Sequence, residues 1–235
     1  MKKIISGVIM ATVLLGAISV KAQTADDIIS KHIDAIGGKD VIKQVNSLIL
    51  TGTVQVMGNE NPTTVTILNG KGYKSESDFN GQKAIQCYTD KGGWAMNPMG
   101  GGGAEAMPDD AYKAGKEQIN IGGALADYAA KGSTVTLLGK DGNNYKLKLV
   151  AADKTETTYF IDASTYYISK VVRKGSMMGQ DVEITIQFTD YKKTDIGFVI
   201  PYTVNVDYGQ FQLAITYKKA DVNKTVDPAI FNMPK

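Results

Sequence analysis

Asp181–Tyr191 reads DVEITIQFTDY. Val182, Ile184, Ile186 and Phe188 fall on one side of an extended chain, and Glu183, Thr185, Gln187 and Thr189 on the other. Alternation over this length marks a strand with one apolar and one polar face. The pattern repeats downstream. Thr194–Gly197 turns the chain into FVIPYTVNVDY, and Gly209-Gln210 turns that into FQLAITYKK, with Phe211, Leu213, Ile215 and Tyr217 on one side. The chain closes with VNKTVDPAIFNMPK. A sheet of this kind has to cover its apolar face, and what covers it decides the function.

Upstream, strands are predicted at Ser133–Leu138, Tyr145–Ala152, Thr157–Ile161 and Tyr166–Lys174. An earlier series runs Ser47–Met57, Thr63–Leu68, Tyr73–Phe79, Gln82–Thr89 and Trp94–Asn97. A loop Gly58–Pro62, the hairpin pairs Asn69-Gly70 and Asn80-Gly81, and a turn Asp90–Gly93 join them. Short strands at such regular spacing predict an antiparallel meander. The stretch NPMGGGGAEAMP interrupts it, because Gly100–Gly103 between Pro98 and Pro108 cannot form a strand interior. Short helices are predicted at Asp109–Gln118 and Ala124–Ala130. An N-terminal helix spans 24–45, with Thr24 as N-cap and Asp26 and Asp27 in the first turn. Ile28, Ile29, His32 and Ile36 share one of its faces, Gly37-Gly38 stops it, and a second turn runs Asp40–Gln44.

Lys2 and Lys3, the uncharged run Ile4–Val20 and the small-residue site Val20-Lys21-Ala22 form a secretory leader over 1–22. The run is shorter than the ~20 residues of a spanning helix, so cleavage after Ala22 is expected rather than anchoring. The product is expected to be exported, soluble and periplasmic, with 23–235 as a single domain. Removing Lys2, Lys3 and Lys21 from the 26 basic residues leaves 23 against 24 acidic ones, a net charge of −1. That balance argues against a nucleic-acid partner. Cys87 is the only Cys, so no internal disulfide forms, and its strand spacing reads as a small buried hydrophobe.

The leader, the helix ADDIISKHIDAIGGKDVI, the meander, and the C-terminal run YFIDASTYYISKVV, FTDYKKTDIGFVIPYTVNV and NKTVDPAIFNMP together resemble the periplasmic lipoprotein-carrier superfamily of LolA and LolB. The likeness is one of strands and turns over most of the mature chain. It implies a mainly β fold: a curved antiparallel sheet forming an incomplete, half-open β-barrel, its concave face covered by the N-terminal helix and a short helical insert. It also implies a cavity for acyl chains, with lipid or lipidated protein as partner and envelope membrane proteins as further partners. In the carriers an Arg on an early strand holds the helical lid closed. Ser47–Met57 contains none, and the only Arg, Arg173, lies in a late strand.

Candidate sites follow from this pattern. Val182, Ile184, Ile186, Phe188, Phe211, Leu213 and Ile215, with Trp94 and Met96, either line an apolar cavity or fill a dry core. Met99, Gly100, Gly101, Gly102, Gly103 and Met107 form a candidate flap whose methionines adapt to varied apolar ligands, and Met177 and Met178 sit in another turn at the same mouth. The Gly run lacks the Lys-Ser or Lys-Thr of a phosphate loop. His32 reads as a packing histidine, and no nucleophile motif or metal-ligand spacing accompanies it. No cofactor is implied. The leading reading is a non-enzymatic carrier or binder of a lipid, lipoprotein or other apolar ligand. The alternative is an envelope sensor or protein-interaction module on the same half-barrel.

Exported material sequenced from its N-terminus is expected to begin at Gln23. Leader retained in the membrane fraction would remove the basis for a periplasmic location.

Overall fold

The computed structural model describes residues 23–97, 103–177 and 180–234; the expected leader lies outside them. Helix α1 (Ala25–Ala35) starts on a reciprocal cap. Thr24 Oγ1 accepts from the Asp27 amide at 3.1 Å, and the Asp27 carboxylate accepts from the Thr24 amide at 3.0 Å. Gly37 then turns the chain at φ +122° into α2 (Gly38–Gln44). A Cβ there would lie 2.8 Å from the Gly197 carbonyl oxygen, so both conformation and space require glycine.

Six strands follow: β1 (Ser47–Val56), β2 (Asn59–Leu68), β3 (Gly72–Phe79), β4 (Gln82–Thr89), β5 (Gly93–Met96) and β6 (Ala104–Ala106). Helix α3 (Asp109–Gly115) continues into a 3₁₀ turn, Lys116–Ile119. Seven more strands complete the sheet: β7 (Thr134–Asp141), β8 (Asn144–Val150), β9 (Glu156–Asp162), β10 (Ile168–Met177), β11 (Gln180–Lys193), β12 (Val199–Asp207) and β13 (Gln212–Val222). The tail ends in a 3₁₀ turn, Pro228–Phe231.

All thirteen strands form one antiparallel sheet in the order β6-β5-β4-β3-β2-β1-β13-β12-β11-β10-β9-β8-β7. The first and last strands pair at its centre. The chain meanders from the centre to one edge, crosses to the other edge through residues 107–133, and meanders back. The sheet is curved and does not close, which is the half-open barrel that the family resemblance implies.

Several local expectations shift. Met57 and Gly58 alone make the first turn, both at positive φ (49° and 81°), and β2 already begins at Asn59. Pro62 is tolerated because pairing with β3 starts only at Thr63. Ala104–Ala106, expected as loop, pairs with β5. Ala124–Ala130 forms turns rather than a helix, since Gly122, Gly123 and Asp127 take positive φ. Tyr166 sits in a turn at φ +58°, and β10 starts only at Ile168.

The core forms where α1, α2 and the turns at 121–128 cover one end of the concave face. Ile28, Ile29, Ile33, Ile42 and Leu125 pack there on Leu48, Leu50, Leu147, Ile161 and Phe198. Burying such side chains contributes about 1.5–3 kcal/mol each. His32 is part of this interface at 3% exposure. A carbonyl only accepts, so the 2.9 Å contact to Tyr166 O makes Nδ1 the protonated nitrogen of a neutral ring. That bond ties α1 to the left-handed turn at Tyr166.

Burial lowers the His32 pKa below 6.5, although the bond to Tyr166 opposes the shift. Between the folded value and 6.5 the unfolded chain holds a proton that the folded chain does not. Stability is therefore expected to fall as pH drops from 6.5 through the folded pKa, by about 1.4 kcal/mol per unit of separation. Urea midpoints of wild type and His32→Gln at pH 7.5 and 5.0 check this: the variant's midpoint should lose the dependence.

Candidate ligand-binding site

The strand registers decide which candidate residues meet. Val54 and Val56 lie opposite Ile215 and Leu213. Ile215 and Leu213 lie opposite Val204 and Val206, which lie opposite Phe188 and Ile186. Ile186, Ile184 and Val182 lie opposite Val171, Arg173 and Gly175. Val182, Ile184, Ile186, Phe188, Leu213 and Ile215 thus share the concave face. Near the helices, Ile215 and Val204 join the core. Toward the other end, Val54 and Ile184 are buried, whereas Val182, Ile186, Phe188 and Leu213 are half-buried and outside the helix-packed core. One stripe is therefore dry core at one end and accessible apolar wall at the other. Phe211 lies in the turn before β13, its ring 6.2 Å from that of Tyr208.

α3 lies across this wall. The Tyr112 hydroxyl donates to Thr89 O at 2.9 Å at one end, and Lys116 pairs with Asp153 at 2.7 Å at the other. Burial works against the Asp153 charge, yet bonds from Lys116 and Thr155 outweigh it and hold the carboxyl at about 2. Gly115 packs on the Tyr88 ring so closely that a Cβ would fall 2.2 Å from it. The Arg173 guanidinium donates to the Ala114 carbonyl. α3 thereby spans from β4 to β10, strands seven places apart in the sheet, and only a strongly curled sheet permits this. Asn69 fixes the crossing segment further on: its Oδ1 accepts from Ile121 N at 2.9 Å, and its Nδ2 donates to Val45 O at 3.1 Å. A hairpin signal in the sequence is also an anchor for the lid.

Arg173 and a set of tyrosines occupy the space beneath α3. Burial raises the phenols of Tyr88, Tyr208 and Tyr159, the last to about 12, and the Arg173 charge eases each back in part. Tyr73, Tyr159 and Tyr208 lie deep within the fold, yet each keeps accessible surface. With the half-buried stripe they line the hollow on the concave side of the open sheet. No sequence pattern singled out these tyrosines, because they come from three strands, β3, β4 and β9, and the loop after β12.

Trp94 and Met96 do not reach this hollow. Trp94 lies opposite Cys87, and Met96 opposite Ile85, on the other face of the sheet. There Ile85, Cys87 and Trp94 pack with Phe231 of the C-terminal tail. The indole donates to Phe231 O at 2.8 Å, and Cys87 Sγ contacts the same oxygen at 3.4 Å. Burial pushes the Cys87 thiol up to about 11, which leaves it unreactive. Of the expected flap, Met99 and Gly100–Gly102 lie outside the described residues, as does Met178 at the second turn. Gly103 is exposed, and Met107 is bonded through its amide to Gly93 O at 2.9 Å beside the start of α3. A groove of about 440 Å³ opens on the outer face among Gln55, Thr185, Gln187, Asn205 and Asp207, and Val206 and Leu213 of the stripe also border it. Among the described residues no cluster of His, Cys, Asp or Glu could hold a metal ion, and no helix is long and apolar enough to cross a membrane.

No protein-family model and no curated protein sequence matches this chain. Among the solved structures similar to this chain, two cover most of it and share its fold. One is a domain named as an outer membrane lipoprotein-sorting protein from Vibrio parahaemolyticus, with 15% identity, 87% of this chain and 95% of that chain covered, and a TM-score of 0.57. The other is a LolA superfamily protein from Nitrosomonas europaea, with 12% identity, 90% and 98% coverage, and a TM-score of 0.57. The chain therefore has a LolA-like fold.

The outer cluster yields a test with a direct optical signal, since Trp94 is the only Trp. A Cβ on Gly72 would fall 2.6 Å from the Phe231 ring. Gly72→Ala is expected to displace the tail, red-shift the emission and cost about 1–3 kcal/mol. Phe231→Ala should restore room at Gly72 while leaving the indole wet.

Proposed function

We propose that this protein is an exported periplasmic carrier or binder of a lipid, a lipidated protein or another apolar ligand, held between the concave wall and α3. The observation that carries this reading is the apolar stripe that runs on past the core, beneath the lid, with accessible surface. About ten methylenes placed there, at about 0.8 kcal/mol each, supply roughly 8 kcal/mol, near micromolar affinity before ordering costs. The LolA-like fold supports the same reading, and so does the leader expected over 1–22. The placement of His32 and Cys87, both committed to packing, favours binding over catalysis.

Binding of a fluorescent fatty-acid probe tests it. Leu213→Lys and Ile184→Lys put an ammonium where acyl chains would pack, and folded variants are expected to lose most of the signal. Thr185→Lys, on the outer face, should bind as wild type does. Ile184 is buried, so unfolding of its variant leaves the decision to Leu213→Lys. Unchanged binding by folded Leu213→Lys would remove the stripe as the site. A wild type that binds neither lipid nor lipopeptide would favour a protein-interaction module on the same frame.

A further inference from the structure

Arg173 is the only Arg of the chain, and it points into the hollow rather than toward solvent. Its cross-strand neighbour Ile184 is buried on the concave face. A guanidinium offers five N–H donors. One bond to the Ala114 carbonyl is made, and Nε is buried with no protein group accepting its proton. Among the described residues no carboxylate lies within ion-pair distance of it. The nearby acids are already engaged: Glu117 with Lys131 at 3.3 Å and Asp153 with Lys116 at 2.7 Å. Among the described residues, the concave wall of the first meander presents apolar side chains, tyrosines, the uncharged Asn61, Thr63, Ser75, Ser77 and Gln86, and an exposed Glu105 at the β6 edge.

A cation placed in such a setting is costly unless an anion answers it. We propose that the hollow selects amphiphiles bearing one anionic group, a carboxylate or a phosphate, which pairs with Arg173 while the chain lies along the stripe. This rests on the carrier reading and narrows it. A guanidinium fork matches either oxyanion with paired N–H···O bonds, which neutral lipids cannot supply. The phenols of Tyr88, Tyr159 and Tyr208 are protonated at neutral pH, as any phenol is, and burial only strengthens this, so they are donors around the same point. The anion would also compete for the N–H groups that hold Ala114, so a headgroup on Arg173 loosens the tie between α3 and β10.

Displacement of the neutral probe N-phenyl-1-naphthylamine by oleate, by a monoacyl glycerol phosphate and by methyl oleate tests the proposal. At least one of the two acids is expected to bind roughly ten- to a hundredfold more tightly than the ester, the loss of a charge-assisted pair. Their order names the preferred headgroup. Arg173→Gln should abolish that advantage and leave the ester unchanged. Arg173→Lys, which keeps the charge without the fork, should retain part of it and serves if the Gln variant does not fold. Equal binding of acids and ester by wild type would overturn the charge selection and leave the carrier reading intact. A preference that survives Arg173→Gln, or acid and ester affinities that fall together, would also overturn it, the latter assigning Arg173 to the lid alone. Failure of wild type to take up probe, acids and ester would overturn the carrier reading itself.

Discussion

β1 pairs with β13 from Leu48 opposite Val222 down to Val56 opposite Leu213, with a bulge at Thr51/Gly52. A Cβ on Gly52 would lie 2.0 Å from the Thr216 carbonyl oxygen, so the seam closes only around a glycine. This pairing sets the first and last strands side by side at the centre of the sheet and leaves β6 and β7 at its two edges. The segment joining those edges crosses the sheet, and its contacts with Tyr88 and Arg173 place it on the concave face. Its ties at Thr89, Asn69, Arg173 and Asp153 follow from that route. A lid is therefore a consequence of the topology, not an addition to it.

The same geometry divides the concave face. α1 and α2 fill one end with Ile side chains, joined by Leu125 from the turns at 121–128. α3 is seven residues long and stands on Tyr88 and Arg173 rather than on an apolar ridge of its own. A short helix carried on large polar-tipped side chains leaves space beneath it. The half-buried Val182, Ile186, Phe188 and Leu213 lie outside the helix-packed core. The opposite face has its own cover where Phe231 meets Trp94 and Cys87, so the tail caps the outside of the sheet rather than its mouth.

Arg173 stands where the two halves of the molecule meet. It comes from the second meander and bonds a lid that leaves the first. Carriers of this fold are expected to tie the lid from an early strand. Here a late strand makes the contact, because the curl brings β10 around to face β4. The bond joins α3 to the sheet through the chain's single guanidinium.

How much of this the sequence carried depends on the range of the interaction. Strict alternation in Asp181–Tyr191 and in the strand after Gly209 named the right residues for the concave face, because a period of two is local and survives any tertiary arrangement. The cap at Thr24, the glycine stop at Gly37 and the hairpins at Asn69 and Asn80 are local in the same sense. Trp94 and Met96 went to the wrong face because β5 is only four residues long, too short for alternation to show which way it faces. The tyrosines around Arg173 and its bond to Ala114 had no local signal, since they depend on how far the sheet curls. The sequence by itself determined most of the strands, the two faces of the long ones and the leader pattern. Only the tertiary structure decided where the helices end and the hollow begins, because that boundary is set by contacts between residues far apart in the chain.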